Sequence, residues 1–104
     1  MASTPESYGL LNDVPQAVRV TVFHASGCHL CERALAQVRA LRDELGFELE
    51  EVAIDGDPDL EARYRELIPV VELDGERLFT YYVHEDAFRR RVAARRSGEA
   101  RPSF

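Results

Sequence analysis

The stretch "FHASGCHLCERAL", residues 23 to 35, contains the only two cysteines of the 104-residue chain, Cys28 and Cys31. The overlapping run from Val18 to Ala25 is β-branched and alternating, and it predicts a strand. From Cys28 onward, apolar residues recur at three- and four-residue spacing, which predicts an amphipathic helix. These apolar residues are Leu30, Ala34, Val38, Leu41 and Leu45. The two cysteines are therefore predicted on a strand-to-helix turn, one helical turn apart.

A second strand and a short second helix are predicted next. Gly46 stands where the first helix would end in a left-handed cap, and the alternating run Phe47–Ile54 predicts a strand. Because a helix joins the first two strands, we expect them to be parallel, with a right-handed crossover. Asp57 is a suitable N-cap, and Pro58 suits the first position of a helix over residues 58–67.

The second half of the chain predicts a hairpin and a last helix. The dipeptide Asp74-Gly75 is a strong signal for a two-residue hairpin turn. It separates the predicted strands Val70–Leu73 and Arg77–Tyr81, and a helix is expected over His84–Arg96. The predicted order is β-α-β-α-β-β-α. This order describes an α/β fold in which helices flank a four-stranded mixed sheet.

Length and composition agree with one globular domain. We expect it over residues 17–96, between an N-terminal arm (1–16) and a C-terminal tail (97–104). The chain is 45% hydrophobic and 31% charged, as in ordinary globular proteins. No stretch approaches the roughly 18 apolar residues of a membrane span, and the first residues lack the basic start and apolar run of a secretory signal. We therefore expect a cytoplasmic protein with no membrane association, and the net charge of −6 argues against nucleic-acid binding. A monomer is expected, although no feature of the sequence specifies the oligomeric state.

The cysteine pair is the candidate catalytic site. Free backbone N–H groups and the positive end of the helix dipole favour a thiolate at Cys28. Cys31 is close enough to form a disulfide with Cys28 and is more covered by its helix. Cys28 is therefore the candidate nucleophile and Cys31 the candidate resolving thiol. His29, between them, adds positive charge when it is protonated.

Two other interpretations of the cysteines stay open. Cysteine is also a small apolar residue, so the pair could be buried thiols without a reaction. A zinc site within one chain needs four ligands, and only His24, His29 and His84 accompany the single cysteine pair. We therefore expect no metal site within the chain. A metal or iron–sulfur cluster bridged between two chains remains an alternative.

The dipeptide Ile68-Pro69 is the second informative point. Proline cannot donate to a strand ladder, so it belongs at the first residue of a strand or in a loop. The pattern suits an ordinary strand-start proline and equally a cis peptide beside the dithiol, where the backbone of Val70 would pair with an extended thiol substrate. Ile68, Pro69 and Val70 are therefore candidate substrate-binding residues, together with His29 and Leu30 between the cysteines.

Together, "TVFHASGCHLCERAL" (residues 21–35) and "IPVVELDGE" (residues 68–76) resemble the glutaredoxin-like branch of the thioredoxin superfamily. The resemblance covers roughly residues 18–96 and is strongest to a group with a C-x-L-C motif. It implies a thioredoxin-like, glutaredoxin-type fold and thiol-disulfide exchange, with Cys28 as nucleophile, Cys31 as resolving thiol and Pro69 as a cis-proline. It further implies a disulfide-containing protein or a small thiol as substrate. The reductant would be glutathione, another low-molecular-weight thiol or a flavoprotein reductase, with no bound cofactor.

Some features depart from that resemblance or stand beside it. Typical members have a Gly-Gly-Asp-type turn that holds glutathione before the last helix, whereas this chain has "YYVHEDAF" (residues 81–88). We expect one ring of the pair Tyr81 and Tyr82 in the core and the other at the surface. The basic run "RRRVAARR" (residues 89–96) is interpreted as a solvated helix face that pairs with nearby acids. A non-catalytic binding or redox-sensing module with the same fold is the alternative function.

Overall fold

A four-stranded mixed sheet forms the centre of the computed structural model, which describes residues 18–96. Its elements are β1 (Arg19–His24), α1 (His29–Leu45), β2 (Glu48–Ala53), α2 (Pro58–Tyr64), β3 (Val70–Leu73), β4 (Glu76–Thr80) and α3 (Glu85–Arg96). The predicted β-α-β-α-β-β-α order is confirmed. The predicted arm (1–16) and tail (97–104) lie outside the described residues. Within residues 18–96, no helix combines the length and the apolar character that crossing a membrane requires.

The strand order places the ends of three strands at one edge of the sheet. The order is β2-β1-β3-β4, with β1 parallel to β2 and antiparallel to β3, and with β3 antiparallel to β4. Phe23, near the carboxyl end of β1, lies opposite Val70, the first residue of β3, and Val70 lies opposite Thr80, the last residue of β4. We call this the dithiol edge, because the chain leaves β1 here toward Cys28 and enters β3 here from Pro69.

Successive residues of β1 and β3 point to opposite faces of the sheet, so the sheet has a core on each side. The larger core packs against α1 and α3, and it contains Val20, Val22, Ala34, Val38, Leu41, Val71, Leu73, Phe88 and Val92. The smaller core packs against α2, and it contains Ile54, Tyr64 and Val70 with Phe23 and Leu60 at its margin. In the smaller core the rings of Phe23 and Tyr64 stack with centroids 4.1 Å apart.

The second helix is shorter than the sequence predicts. The prediction covers residues 58–67, whereas α2 ends at Tyr64. The N–H groups of Leu67 and Ile68 both donate to the carbonyl of Tyr64, at 2.8 and 3.1 Å, and so turn the chain. Pro69 disfavours the helical conformation at Ile68, so the helix does not resume after this turn.

Other boundaries shift by one residue. Cys28 is the N-cap of α1 rather than its first residue, and Gly46 is the predicted left-handed cap, with φ 80°. β4 runs from Glu76 to Thr80 instead of from residue 77 to residue 81. It stops there because Tyr81 leaves the extended conformation, with φ 68°.

The predicted hairpin turn is confirmed and is tied to the first strand. Asp74 and Gly75 have φ values of 49° and 87°, and two positive values are what a type I′ turn requires. The N–H of Asp74 donates to the carbonyl of Arg19 at 2.8 Å, and its Oδ1 accepts from the N–H of Arg19 at 3.0 Å.

Candidate dithiol site

Cys28 and Cys31 form a disulfide at the start of α1, with their Cα atoms 5.2 Å apart. Cys28 is in an extended conformation at the N-cap, and its Sγ accepts a hydrogen bond of 3.1 Å from the N–H of Cys31. Cys28 is half-buried, whereas Cys31 is only 1% exposed. An incoming disulfide can therefore approach the sulfur of Cys28 more easily than that of Cys31.

The turn that precedes Cys28 is held by Asp55, which lies in the connection between β2 and α2. The N–H and the hydroxyl of Ser26 both donate to Oδ2 of Asp55, at 3.0 and 3.1 Å. Gly27 follows with φ 73°, a conformation that glycine adopts without penalty. The sequence analysis missed Asp55, because this residue is 29 positions from Ser26 and only the parallel pairing of β1 with β2 brings them together.

The two residues between the cysteines differ in their surroundings. The side chain of His29 is 95% exposed, and its Nδ1 lies 3.8 Å from Oε1 of Glu32. Leu30 is half-buried. Water screens charges at exposed positions, so a protonated His29 has a weak electrostatic effect on Cys28.

The segment that leads into β3 lies at the same edge. The peptide bond between Ile68 and Pro69 is cis, and Pro69 is buried. Val70 is fully buried and has a paired strand on each side, β1 and β4. The N–H of Ile68 donates to Tyr64, and within residues 18–96 no donor reaches the Ile68 carbonyl. That carbonyl is therefore one of the backbone groups of this segment that remain available to a partner.

The two tyrosines after β4 are both at the surface. Tyr81 is 40% exposed and Tyr82 is 55% exposed, so the prediction that one of them lies in the core is wrong. The hydroxyl of Tyr81 donates to the carbonyl of Glu66 at 2.6 Å, and its N–H donates to the carbonyl of Pro69 at 2.9 Å. No local signal in the sequence indicates these two contacts.

The shifted pKa values belong to ion pairs on the outside of α1. Arg39 donates two 2.7 Å hydrogen bonds to Glu51 of β2, and these bonds lower the pKa of that carboxyl and raise the pKa of Arg39. The hydrogen bonds from Arg89 of α3 likewise lower the pKa of Glu44, and they raise the pKa of Arg89 itself. In both carboxyls, a smaller desolvation effect opposes the lowering of the pKa.

The basic run of α3 is largely paired with acids, as predicted. Arg89 contacts Glu44, Glu85 and Asp86, and Arg95 contacts Asp74 and Glu76. In the described part of the chain, no group of three or more His, Cys, Asp or Glu side chains is arranged to hold a metal ion.

Comparison with known proteins relates the sequence to a glutaredoxin-like family and the fold to that of thioredoxins. Residues 19–93 match the family described as glutaredoxin-like domain (DUF836). Uncharacterized proteins of Mycobacterium tuberculosis and Mycobacterium bovis are 32% identical over 80 residues, which cover 72% of this chain and 82% of theirs. A protein of Nitrosomonas europaea, solved by NMR, is 28% identical with a TM-score of 0.61, over 86% of this chain and 96% of that chain. Thioredoxin of Fasciola hepatica has a TM-score of 0.57 and 24% identity, over 82% of this chain and 86% of that chain, a likeness of fold alone.

Proposed function

The chain belongs to the glutaredoxin-like domain (DUF836) family, and from this premise we propose that it is a dithiol–disulfide oxidoreductase. The observation that carries the proposal is the asymmetric Cys28–Cys31 disulfide. Its first cysteine is half-buried at a helix N-cap, and its second is covered by the helix. This is the arrangement that a nucleophilic thiol and a resolving thiol require.

The reaction starts from the reduced pair. The Cys28 thiolate attacks one sulfur of a substrate disulfide, whose S–S bond breaks as the other sulfur leaves and takes up a proton. Cys31 then gives up its proton and attacks Sγ of Cys28, which releases the second substrate thiol and forms the Cys28–Cys31 disulfide. The substrate gains two electrons and two protons, and the dithiol loses them. The N–H of Cys31 and the helix N-terminus support the negative charge on Cys28.

The substrate and the reductant are also part of the proposal. A disulfide-containing protein or a small thiol would approach Cys28 at the dithiol edge, beside Leu30 and Ile68. His29, which is exposed, would be a surface contact for such a partner. Glutathione, another low-molecular-weight thiol or a flavoprotein reductase would return two electrons to the Cys28–Cys31 disulfide. This cycle suits the cytoplasm, where such reductants keep thiols reduced.

Trapping tests the proposed roles of the two cysteines. Cys31→Ser lacks the resolving thiol, so it should accumulate a mixed disulfide between Cys28 and a disulfide-bonded peptide, visible by mass spectrometry. Cys28→Ser should form no such adduct and should not reduce the peptide. Reduction by Cys28→Ser at the wild-type rate would refute the assignment.

The exposed tyrosines favour a second candidate, a redox-sensing interaction module. Tyr81 and Tyr82 are the exposed large hydrophobic residues of the described chain, and they follow β4 at the dithiol edge. In such a module the oxidation state of the cysteines would alter partner binding without turnover. The rate of thiol–disulfide exchange distinguishes the two candidates. If the wild-type protein reduces disulfides no faster than free dithiothreitol does, the interaction module is favoured over the oxidoreductase.

A further inference from the structure

Tyr81 has an uncommon backbone conformation directly after β4. Its φ is 68°, in the left-handed region that residues with a side chain rarely adopt. The N–H of Tyr82 donates to the carbonyl of Thr80 at 2.7 Å, two residues back. This bond and the positive φ at the centre define the rare, strained form of the γ-turn. A strained residue of this kind persists only where surrounding contacts hold it.

Within residues 18–96, the hydrogen bonds that hold Tyr81 lead to the segment in front of β3. Its N–H donates to the carbonyl of Pro69 at 2.9 Å, and its hydroxyl donates to the carbonyl of Glu66 at 2.6 Å. One residue thus hydrogen-bonds both ends of the segment Glu66–Pro69. Ile68 lies inside that segment, with its carbonyl free of donors from the described part of the chain.

The sheet register brings this segment to the edge of the sheet from which the chain continues to the cysteines. Val70 lies opposite Phe23 of β1, and five residues after Phe23 the chain reaches Cys28. An extended peptide that presents a disulfide to Cys28 can use the Ile68 carbonyl as an acceptor for one of its N–H groups. The position of that carbonyl then decides how such a peptide binds.

We infer, on the basis of the dithiol exchange proposed above, that Tyr81 is a positioning residue for peptide disulfides. Its two hydrogen bonds fix the Glu66–Pro69 segment so that the Ile68 carbonyl faces an extended substrate backbone beside Cys28. A small disulfide without a peptide backbone makes no such hydrogen bond. The reaction of a small disulfide is therefore independent of Tyr81.

Tyr81→Phe tests the inference, because it removes only the hydroxyl that donates to Glu66. The substrates are a disulfide-linked dimer of a short Gly/Ser peptide and hydroxyethyl disulfide. With the peptide dimer, kcat/KM should fall about three- to tenfold through a higher KM, the loss expected when one hydrogen bond is disturbed. With hydroxyethyl disulfide the rate should stay within about twofold of the wild type. Tyr82→Phe is the matched control and should leave both rates unchanged.

A second variant separates positioning from folding. Tyr81→Gly removes the side chain while keeping a residue that tolerates positive φ, so it should show the same selective loss without a lower melting temperature. Equal rates of wild type and Tyr81→Phe on the peptide dimer, or equal losses on both substrates, would overturn the inference and leave the oxidoreductase proposal standing. A wild-type protein that reduces neither substrate would overturn the oxidoreductase proposal itself.

Discussion

At the scale of single residues, the turn that carries Cys28 depends on the carboxylate of Asp55. This carboxylate accepts two hydrogen bonds from Ser26, one from its N–H and one from its hydroxyl. We predict that Asp55→Ala lowers the free energy of unfolding by about 1 kcal/mol, the usual contribution of a hydrogen bond that water can partly replace. Urea denaturation of the reduced and the oxidised protein measures this change.

Asp59→Ala is the control for Asp55→Ala. Asp59 is an exposed acid close by in the sequence, and its carboxylate contacts no donor in the described residues. Its replacement should change the unfolding free energy by less than about 0.5 kcal/mol. If both variants are equally stable, the contacts between Asp55 and Ser26 contribute nothing to the fold.

Residue-level prediction from the sequence worked where the signal was local. Cys28 and Cys31 were recognisable because three residues of spacing on a strand-to-helix turn define the pair. Asp55 and Tyr81 were not, since their contacts to Ser26 and Glu66 join residues 29 and 15 positions apart. Such contacts depend on the strand register and on an unusual backbone angle, and periodicity encodes neither.

At the scale of elements, the Arg39–Glu51 pair joins α1 to β2 and makes stability depend on pH. The hydrogen bonds from Arg39 lower the pKa of Glu51 in the folded protein below its ordinary 4.5. The charged carboxylate therefore stabilises the fold above about pH 4.5, and this contribution is lost as the pH falls through the lowered folded pKa. We predict that Glu51→Gln is less stable than the wild type at neutral pH, with a difference that shrinks below pH 4.5.

Thermal unfolding of Glu51→Gln from neutral pH to pH 3 measures this dependence. Glu50→Gln on the same strand is the matched control, because the Glu50 carboxylate lies 3.7 Å from Arg19 without a described hydrogen bond. The Glu50→Gln difference should be smaller at neutral pH. A Glu51→Gln difference that stays constant down to pH 3 would contradict the pKa shift as the cause.

The order of elements was predictable from the sequence, whereas several of their ends were not. The hairpin position followed from Asp74-Gly75, whose preference for positive φ is a local property. The end of α2 at Tyr64 depends on the turn before Pro69, and the end of β4 depends on Tyr81. Both ends lie at the dithiol edge, where hydrogen bonds between loop residues determine the backbone conformation.

At the scale of the whole molecule, the hydrophobic cores on the two faces of the sheet differ in size. The face under α1 and α3 buries thirteen residues in its core, including the fully buried Phe88, whereas the face under α2 buries three. Since regions with few buried apolar contacts open with a smaller free energy, α2 should open locally while the rest of the fold stays intact. This opening would loosen the support of the Glu66–Pro69 segment without unfolding α1.

Native-state hydrogen exchange of the wild type and of Leu41→Ala tests whether α2 opens locally, at a lower free energy than global unfolding. Leu41 is 2% exposed in the larger core, and its truncation should lower the global free energy of unfolding by about 2–5 kcal/mol. The amides of α1 and β1 exchange by global unfolding, so they should exchange faster in the variant by the corresponding factor. The amides of α2 exchange by local opening, so their rates should change little. If all amides accelerate equally, the molecule opens as one unit and α2 has no opening of its own.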